Sequence, residues 1–341
     1  MNFQTLAKIE KPDFYLDVAF KRAKETVIQT KSTFKGKKLS REQKSRFIEL
    51  EKIKAFSKSL THNLKHILIS FPSIDGLADF YNALVKCTLD YEMLKKALGA
   101  INWASQQIPR IEEQQLTKIR LCKEFSAINE YSRMAYGRIA SVIKQIKKNL
   151  DDLETARQIM REYPSIKTSM PTIVIAGFPN TGKTTLLKTL TGSAPKIAPY
   201  PFTTQQLMIG YTELDGKKVQ VIDTPGLLDR PFARRNSIEK QAVLAIKYLA
   251  TKIVFVIDPT ESCGYSLDDQ LNLLDEIKED FDVEIINVIN KTDLASKEII
   301  EQTRKKVKNA VEISAQKKQD IEKLLNLVKQ DLNIIEEKQE E

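Results

Sequence analysis

Residues 177–184 read GFPNTGKT, two glycines five apart followed by lysine and threonine. This spacing suits a loop whose consecutive backbone N–H groups close around a phosphate. Gly177 and Gly182 permit the tight turn, Lys183 brings a point charge to the β- and γ-phosphates, and the Thr184 hydroxyl is a hard ligand for Mg²⁺. Phe178, Pro179, Asn180 and Thr181 complete the cradle, with Thr185 just beyond it. Two further motifs end strand-like runs. DTPG, residues 223–226, follows KVQVI. Asp223 can hold Mg²⁺ through water, Thr224 and Pro225 make the turn, and the Gly226 N–H can reach a γ-phosphate, which couples the following segment to nucleotide state. NKTD, residues 290–293, ends IINVI. The Asp293 carboxylate can accept from the N1–H and exocyclic amine of guanine. Adenine lacks that donor pair and would leave the carboxylate desolvated and unpaired, at about 1–3 kcal/mol or more. Lys291 would lie along the base and Asn290 would tie its loop to the phosphate loop. Ser314 and Ala315, after the run AVEIS, would offer backbone N–H groups to the guanine carbonyl. In this order the motifs describe a site for GTP or GDP with Mg²⁺.

Such loops need rigid elements behind them. A phosphate loop requires a strand before it and a helix after it, whose N-terminal dipole faces the anion. TIVIA precedes GFPNTGKT and LLKTL follows it. The runs QLMIGYTE, KVQVID, KIVFVID, VEIINVIN and AVEIS read as further strands, separated by helical patterns around 183–191, 236–249, 266–279 and 296–308, with a last helix at 319–336. This alternation predicts a mostly parallel sheet with helices on both faces and ligands at the carboxyl ends of the strands.

Residues 1–162 instead show helical periodicity almost throughout. Leu16, Phe20, Ala23 and Val27 form one stripe, Phe47, Leu50, Ile53 and Phe56 a second, and Tyr131, Met134, Ala135, Ile139, Val142 and Ile146 a third. Pro72 in FPSIDG breaks the pattern, with Ser73 placed to cap the next helix. Gly36 marks a basic loop before a helix capped by Ser40. YPSIKTSMP, residues 163–171, reads as a short linker. The expected fold is therefore an N-terminal antiparallel helical bundle, a basic domain over 1–164, followed by a P-loop G domain over 165–341. Trp103 and the aromatic stripes are expected in the core.

Charge separates the two halves. Residues 1–170 hold 31 Lys+Arg against 19 Asp+Glu, a net of +12, while residues 171–341 hold 23 against 26. The segment 21–60 alone carries 13 basic against 4 acidic residues. A concentrated excess of this kind is the footprint of a polyanion such as nucleic acid, because each cation laid on a phosphate releases condensed counterions. Cys87, Cys122 and Cys263 are odd in number and far apart, which argues for buried thiols in a reducing compartment. No stretch reaches the roughly 18 to 20 apolar residues of a membrane span, and the start lacks the apolar run of a signal peptide, so the chain is expected to stay where it is made. His62 and His66 share a helix face, but HNLKH lacks the glutamate of HExxH and has no evident third ligand.

GFPNTGKTTLLKTLTG, APYPFTT, VIDTPGLLDRPFARRNSIEKQA, VIDPTESCGYSLDDQ and NKTD together resemble the Nog-type nucleolar GTP-binding proteins, ribosome-assembly GTPases related to Obg. The likeness is densest over 164–293 and extends to the helical half as architecture. DPTESCGY and DTPGLLDRP are its specific parts. It implies a monomeric switch that hydrolyses GTP during large ribosomal subunit assembly, contacting rRNA through the basic segment and ribosomal or assembly proteins elsewhere, with no membrane. It implies that Thr204 in PFTT, with Thr203 the lesser choice, ligates Mg²⁺ from a first switch beside Thr184 and Asp223, and that residues 227–235 form the second switch. Lys183, Thr204, Gly226 and Asn180 are the residues it assigns to catalysis. Leu227 stands where signalling GTPases place a water-orienting glutamine, so intrinsic hydrolysis is expected to be slow. Asn180 stands where related GTPases hold potassium, which could replace an arginine finger. Arg230, Arg234 and Arg235 could supply such a finger in cis, but read better as RNA- or solvent-facing. Two features depart from the family pattern. The linker lacks an Asp-Pro pair, and the chain ends soon after the G domain without the long basic extension of eukaryotic members, which implies an archaeal-type short form working in cytoplasm. Two other readings compete. One is an RNA-binding assembly scaffold that scarcely hydrolyses GTP. The other is a signal-recognition-type targeting GTPase, which would need DTAGR-like and TKxD motifs in place of DTPG and NKTD.

Overall fold

TIVIA forms the central strand of a seven-stranded sheet, and all five of its residues are buried. The computed structural model describes residues 3–35, 38–201, 206–229 and 243–337, with side chains through 329. The sheet strands are β1 (Thr172–Ala176), β2 (Lys196–Pro199), β3 (Gln206–Leu214), β4 (Lys217–Asp223), β5 (Lys252–Ile257), β6 (Ile285–Ile289) and β7 (Val311–Glu312), in the order β2-β3-β4-β1-β5-β6-β7. β4, β1, β5, β6 and β7 run parallel, while β2 and β3 pair antiparallel at one edge. β1 and β5 are buried along their whole length, as strands covered on both faces must be. Because the five strands share a direction, the loops that leave their carboxyl ends emerge along one edge of the sheet. β2 is the one strand the sequence pattern does not show: KIAP is four residues long, lies on the edge and ends in proline.

Among the described residues the α-helices are α1 (Pro12–Ser32), α2 (Arg41–Ser70), α3 (Asp79–Thr88), α4 (Tyr91–Leu121), α5 (Phe125–Gln145), α6 (Lys147–Arg161), α7 (Lys183–Thr191), α8 (Leu267–Asp280), α9 (Lys297–Lys306) and α10 (Ile321–Glu337). They divide between two compact units, one of residues 4–73 and 89–161, the other of residues 1–3, 74–88 and 162–341. The first unit is the helical bundle, in which α1 packs on α2, α2 on α4, and α4 on α5 and α6. Ile53, Leu116, Ile119, Ile128 and Ala135 form one of its cores. Ser40 starts α2 with a full capping box: its hydroxyl accepts from the Gln43 N–H (3.1 Å) while Gln43 Oε1 accepts from the Ser40 N–H (2.9 Å). The second unit is the sheet with its helices, and α3, expected in the bundle, clusters with it.

Three sequence expectations change. The buried stripe of α1 is Pro12, Tyr15, Leu16, Ala19 and Ala23, so Phe20 is 38% exposed and reaches Phe56 and Tyr136 only with its ring, at 4.5 and 5.6 Å between centroids. Phe47 is likewise exposed, and Trp103 is not a core residue, being 42% exposed on α4. The segment 163–171 is no loose tether. Tyr163, Pro164 and Ile166 are buried, and the Tyr81 hydroxyl of α3 accepts from the Ile166 N–H (2.9 Å) and lies within hydrogen-bonding distance of the Pro164 and Ile166 carbonyls. Cys263 is buried, while Cys87 and Cys122 are half-buried, and burial pushes the Cys87 thiol up to about 11. Among the described residues no helix is long and apolar enough to cross a membrane.

Candidate functional site

The loops after β1, β4, β5, β6 and β7 carry GFPNTGKT, DTPG, DPTESC, NKTD and Ser314–Ala315, and hydrogen bonds knit them into one site. The first loop turns as its glycines require. Gly177 (φ 131°) could not carry a side chain, since a Cβ there would stand 2.5 Å from the Val256 carbonyl oxygen. Gly182 (φ 100°) caps the start of α7, and a Cβ there would strike the Asn290 amide. Asn180 also adopts a left-handed turn, φ 63°. The Thr181 hydroxyl, fully buried, donates to the Phe178 carbonyl (2.9 Å). Lys183 is buried and donates to the Gly177 and Phe178 carbonyls, both at 2.8 Å. Burial pushes its ammonium below the usual lysine value, against the pull of Asp223 and Asp229.

Thr184 and Asp223 meet directly, the Thr184 hydroxyl donating to Asp223 Oδ2 at 2.6 Å. Asp223 Oδ1 is buried and has no hydrogen-bond partner. Burial raises the Asp223 carboxyl above its ordinary value, while Thr184 and Lys183 draw it down. A hydroxyl and a carboxylate with an unsatisfied buried oxygen form a hard oxygen pair that fits Mg²⁺. Thr185 lies in the first turn of α7. In DTPG, the Thr224 hydroxyl donates to the Ile175 carbonyl (3.0 Å) and Pro225 lies in the turn that the Leu227 N–H closes on the Thr224 carbonyl (3.1 Å). The Gly226 N–H donates to Asp229 Oδ2 at 2.5 Å. Leu227 is fully buried. Thr203 and Thr204, and with them Arg230, Arg234 and Arg235 and most of the second switch, lie outside the described residues.

In the loop of NKTD, the Asn290 amide donates to the Thr181 carbonyl (2.8 Å) and its Oδ1 accepts from the Ala315 N–H (3.0 Å). One side chain thus joins three loops. Ser314 behaves differently from its expected role. Its N–H pairs with the Gln319 carbonyl (3.3 Å), and its hydroxyl donates to Asp293 Oδ1 (2.8 Å). In this arrangement the Ser314 and Ala315 N–H groups, expected at the guanine carbonyl, are taken up by the protein. Hydrogen bonding by Ser314 is the chief cause that holds the Asp293 carboxyl below its ordinary value, with Lys317 Nζ 3.5 Å from Oδ2 adding to it.

The motif DPTESC supplies a set of contacts that its sequence does not announce. Asp258 is fully buried, and its carboxylate accepts from the Thr260 N–H (3.0 Å), the Thr260 hydroxyl (2.6 Å), the Ser262 hydroxyl (2.9 Å), the Cys263 N–H (2.9 Å) and Lys291 Nζ (2.6 Å). Burial alone would raise this carboxyl, but the donors, Lys291 foremost, hold it below its ordinary value. Lys291 (φ 60°) also donates to the Ser262 hydroxyl (2.9 Å), so the lysine of NKTD is mounted on the loop after β5. Tyr265 from the same loop stacks on Phe178 of the phosphate loop, with ring centroids 4.1 Å apart. An aspartate at a strand's carboxyl end on the ligand edge is the signal that could have drawn attention to Asp258.

Comparison with known proteins follows the same division. Residues 3–167 match the family model of the NOG1 N-terminal helical domain, and residues 237–293 match that of nucleolar GTP-binding protein 1 (NOG1). An uncharacterized protein of Methanocaldococcus jannaschii is 36% identical over 296 residues, covering 87% of this chain and 82% of that one. Nucleolar GTP-binding protein 1 of Drosophila melanogaster is 30% identical over 343 residues, 99% of this chain and 51% of that one. The chain spans about half the length of this and other eukaryotic relatives. A crystal structure of a nucleolar GTP-binding protein 1 from Plasmodium falciparum is 30% identical, covers 52% of this chain and 97% of that one, and superposes with a TM-score of 0.42.

Proposed function

Because the chain belongs to the NOG1 family of GTP-binding proteins, we propose that it binds GTP at the loops described above, hydrolyses it to GDP and phosphate, and uses the change as a switch in large ribosomal subunit assembly. The observation that carries the nucleotide reading is the Asn290 side chain, which bonds the phosphate loop at Thr181 and the last loop at Ala315. It sets the base-reading carboxylate of Asp293 at a fixed reach from the phosphate cradle. Gly177, Phe178, Pro179, Thr181 and Gly182 supply the loop backbone, and Lys183 turns from loop carbonyls to the β- and γ-phosphates. Thr184 and Asp223 would hold Mg²⁺, which neutralises charge on the β- and γ-oxygens. Thr204 is the proposed first-switch ligand.

Leu227 is buried and carries no group that can orient water. The water must therefore be positioned by backbone, by a cation at Asn180 or by a partner, and unassisted hydrolysis is slow. That same observation favours a second reading, an assembly scaffold that keeps its GTP. Single-turnover hydrolysis by the chain on isolated precursor particles, in potassium and in sodium, separates the two. The switch reading expects acceleration on the particles, with potassium the better cation. No hydrolysis above the uncatalysed background in any of these conditions would leave the scaffold, and identical rates in the two salts would remove the cation role of Asn180.

A further inference from the structure

We propose that Asp229 is an internal stand-in for the γ-phosphate and sets the site's preference for guanosine diphosphate over triphosphate. The inference rests on the GTP-binding reading above. Asp229 Oδ2 accepts the Gly226 N–H at 2.5 Å, and this is the N–H that DTPG aims at a γ-phosphate. A carboxylate that only capped its own turn would explain that bond. A second feature sets it apart from a surface cap: Asp229 is 7% exposed, and the turn that carries it is bonded to the phosphate loop. The buried carboxylate therefore occupies the glycine N–H that a γ-phosphate would use.

The backbone around it is tied to the phosphate loop. The Leu228 carbonyl accepts the Gly177 N–H at 3.0 Å, and the Leu227 and Leu228 N–H groups turn onto the Thr224 carbonyl at 3.1 and 3.4 Å. One anion can occupy the Gly226 N–H at a time. With a diphosphate bound, Asp229 supplies that anion and no donor is left unsatisfied. A γ-phosphate must displace the Asp229 carboxylate from this N–H, so binding a triphosphate and releasing Asp229 become one event. The cost falls on the triphosphate alone, because a diphosphate presents no group to this N–H.

Fluorescent GDP and a β,γ-imido GTP analogue titrated with Mg²⁺ into the parent chain and into Asp229→Asn and Asp229→Ala test this. The ratio of the analogue's Kd to that of GDP should fall about tenfold in both variants, the size of one charge-assisted hydrogen bond and its desolvation. A ratio within twofold of the parent, or both constants rising together, overturns the proposal and leaves the nucleotide reading standing. If the parent chain bound neither nucleotide, the nucleotide reading itself would fail first. The ratio is read only from molecules that bind GDP, so a misfolded variant is not mistaken for a result.

Discussion

At Asp293 the Ser314 hydroxyl holds one carboxylate oxygen at 2.8 Å, and the carboxyl stays ionised further into acid than an ordinary aspartate. Asp293→Asn replaces an acceptor by a donor, so preference should move from guanine toward xanthine nucleotides, read as the ratio of their dissociation constants. Unchanged GTP affinity would refute the base assignment. Ser314→Ala releases the carboxylate. Guanine binding should weaken several-fold, and the pH below which binding is lost should rise, because a carboxyl with a lowered pKa keeps its charge until the pH falls through that lowered value. Asp258 acts one step further back. With Asp258→Asn, Lys291 loses its ion pair and GDP affinity should fall about tenfold. If Asp258 works through Lys291, the double variant with Lys291→Met should be no weaker than Lys291→Met alone, whereas additive losses would show an independent role. The motif residues could be proposed from sequence because phosphate and guanine demand particular groups at short fixed spacings, and the structure brings their loops together. Asp258 and Lys291 were not legible as a pair, being 33 positions apart in the loops after different strands, and no local spacing rule joins them. Sequence spacing points to the Ser314 backbone N–H and carries no sign that its hydroxyl bonds Asp293.

The elements were easier to foresee than their faces. Long periodic helices and strands of buried β-branched residues announce themselves, and the helices expected around 183–191, 266–279, 296–308 and 319–336 lie within a few residues of α7, α8, α9 and α10, while most of the one expected around 236–249 lies outside the described residues. What periodicity alone could not fix is which of two adjacent stripes of α1 turns inward, because Phe20 can satisfy its ring at the edge of the interface without full burial. Nor could it show how the extended start of the chain is held. Glu154 of α6 accepts the Ile9 N–H (3.0 Å), the Arg157 guanidinium (2.6 and 2.7 Å) and the Gln158 amide (3.0 Å). Burial would raise this carboxyl, but these bonds bring it down to about 2. Its stabilisation is therefore complete above the ordinary glutamate value of 4.5 and is lost as pH falls from there toward about 2. Glu154→Gln should cost about 1–3 kcal/mol at neutral pH, measured by urea unfolding, and the gap between variant and parent should close at pH 2 to 3. A gap that persisted in acid would assign the loss to packing.

Across the whole chain, positive charge is concentrated in α1, the start of α2 and the turn between them, while the sheet unit is close to neutral. Some of that charge is committed to the fold: Arg46 donates to the Cys122 carbonyl (2.8 Å), and Lys52 and Lys54 pair with Glu49 and Glu51. Lys21, Arg22, Lys24, Lys31 and Lys35 are exposed, which makes them the informative set. Surface ion pairs contribute little to stability, so neutralising these five should leave the unfolding midpoint unchanged and act only on a polyanionic partner. The measurement that tests the account most directly is gradient sedimentation of the protein with large ribosomal subunits and their precursors, in GDP and in a GTP analogue, with the five residues intact and neutralised. The account predicts nucleotide-dependent migration with large-subunit particles that weakens on neutralisation and at higher salt. A chain that stayed at the top of the gradient in both nucleotides would contradict the assembly role.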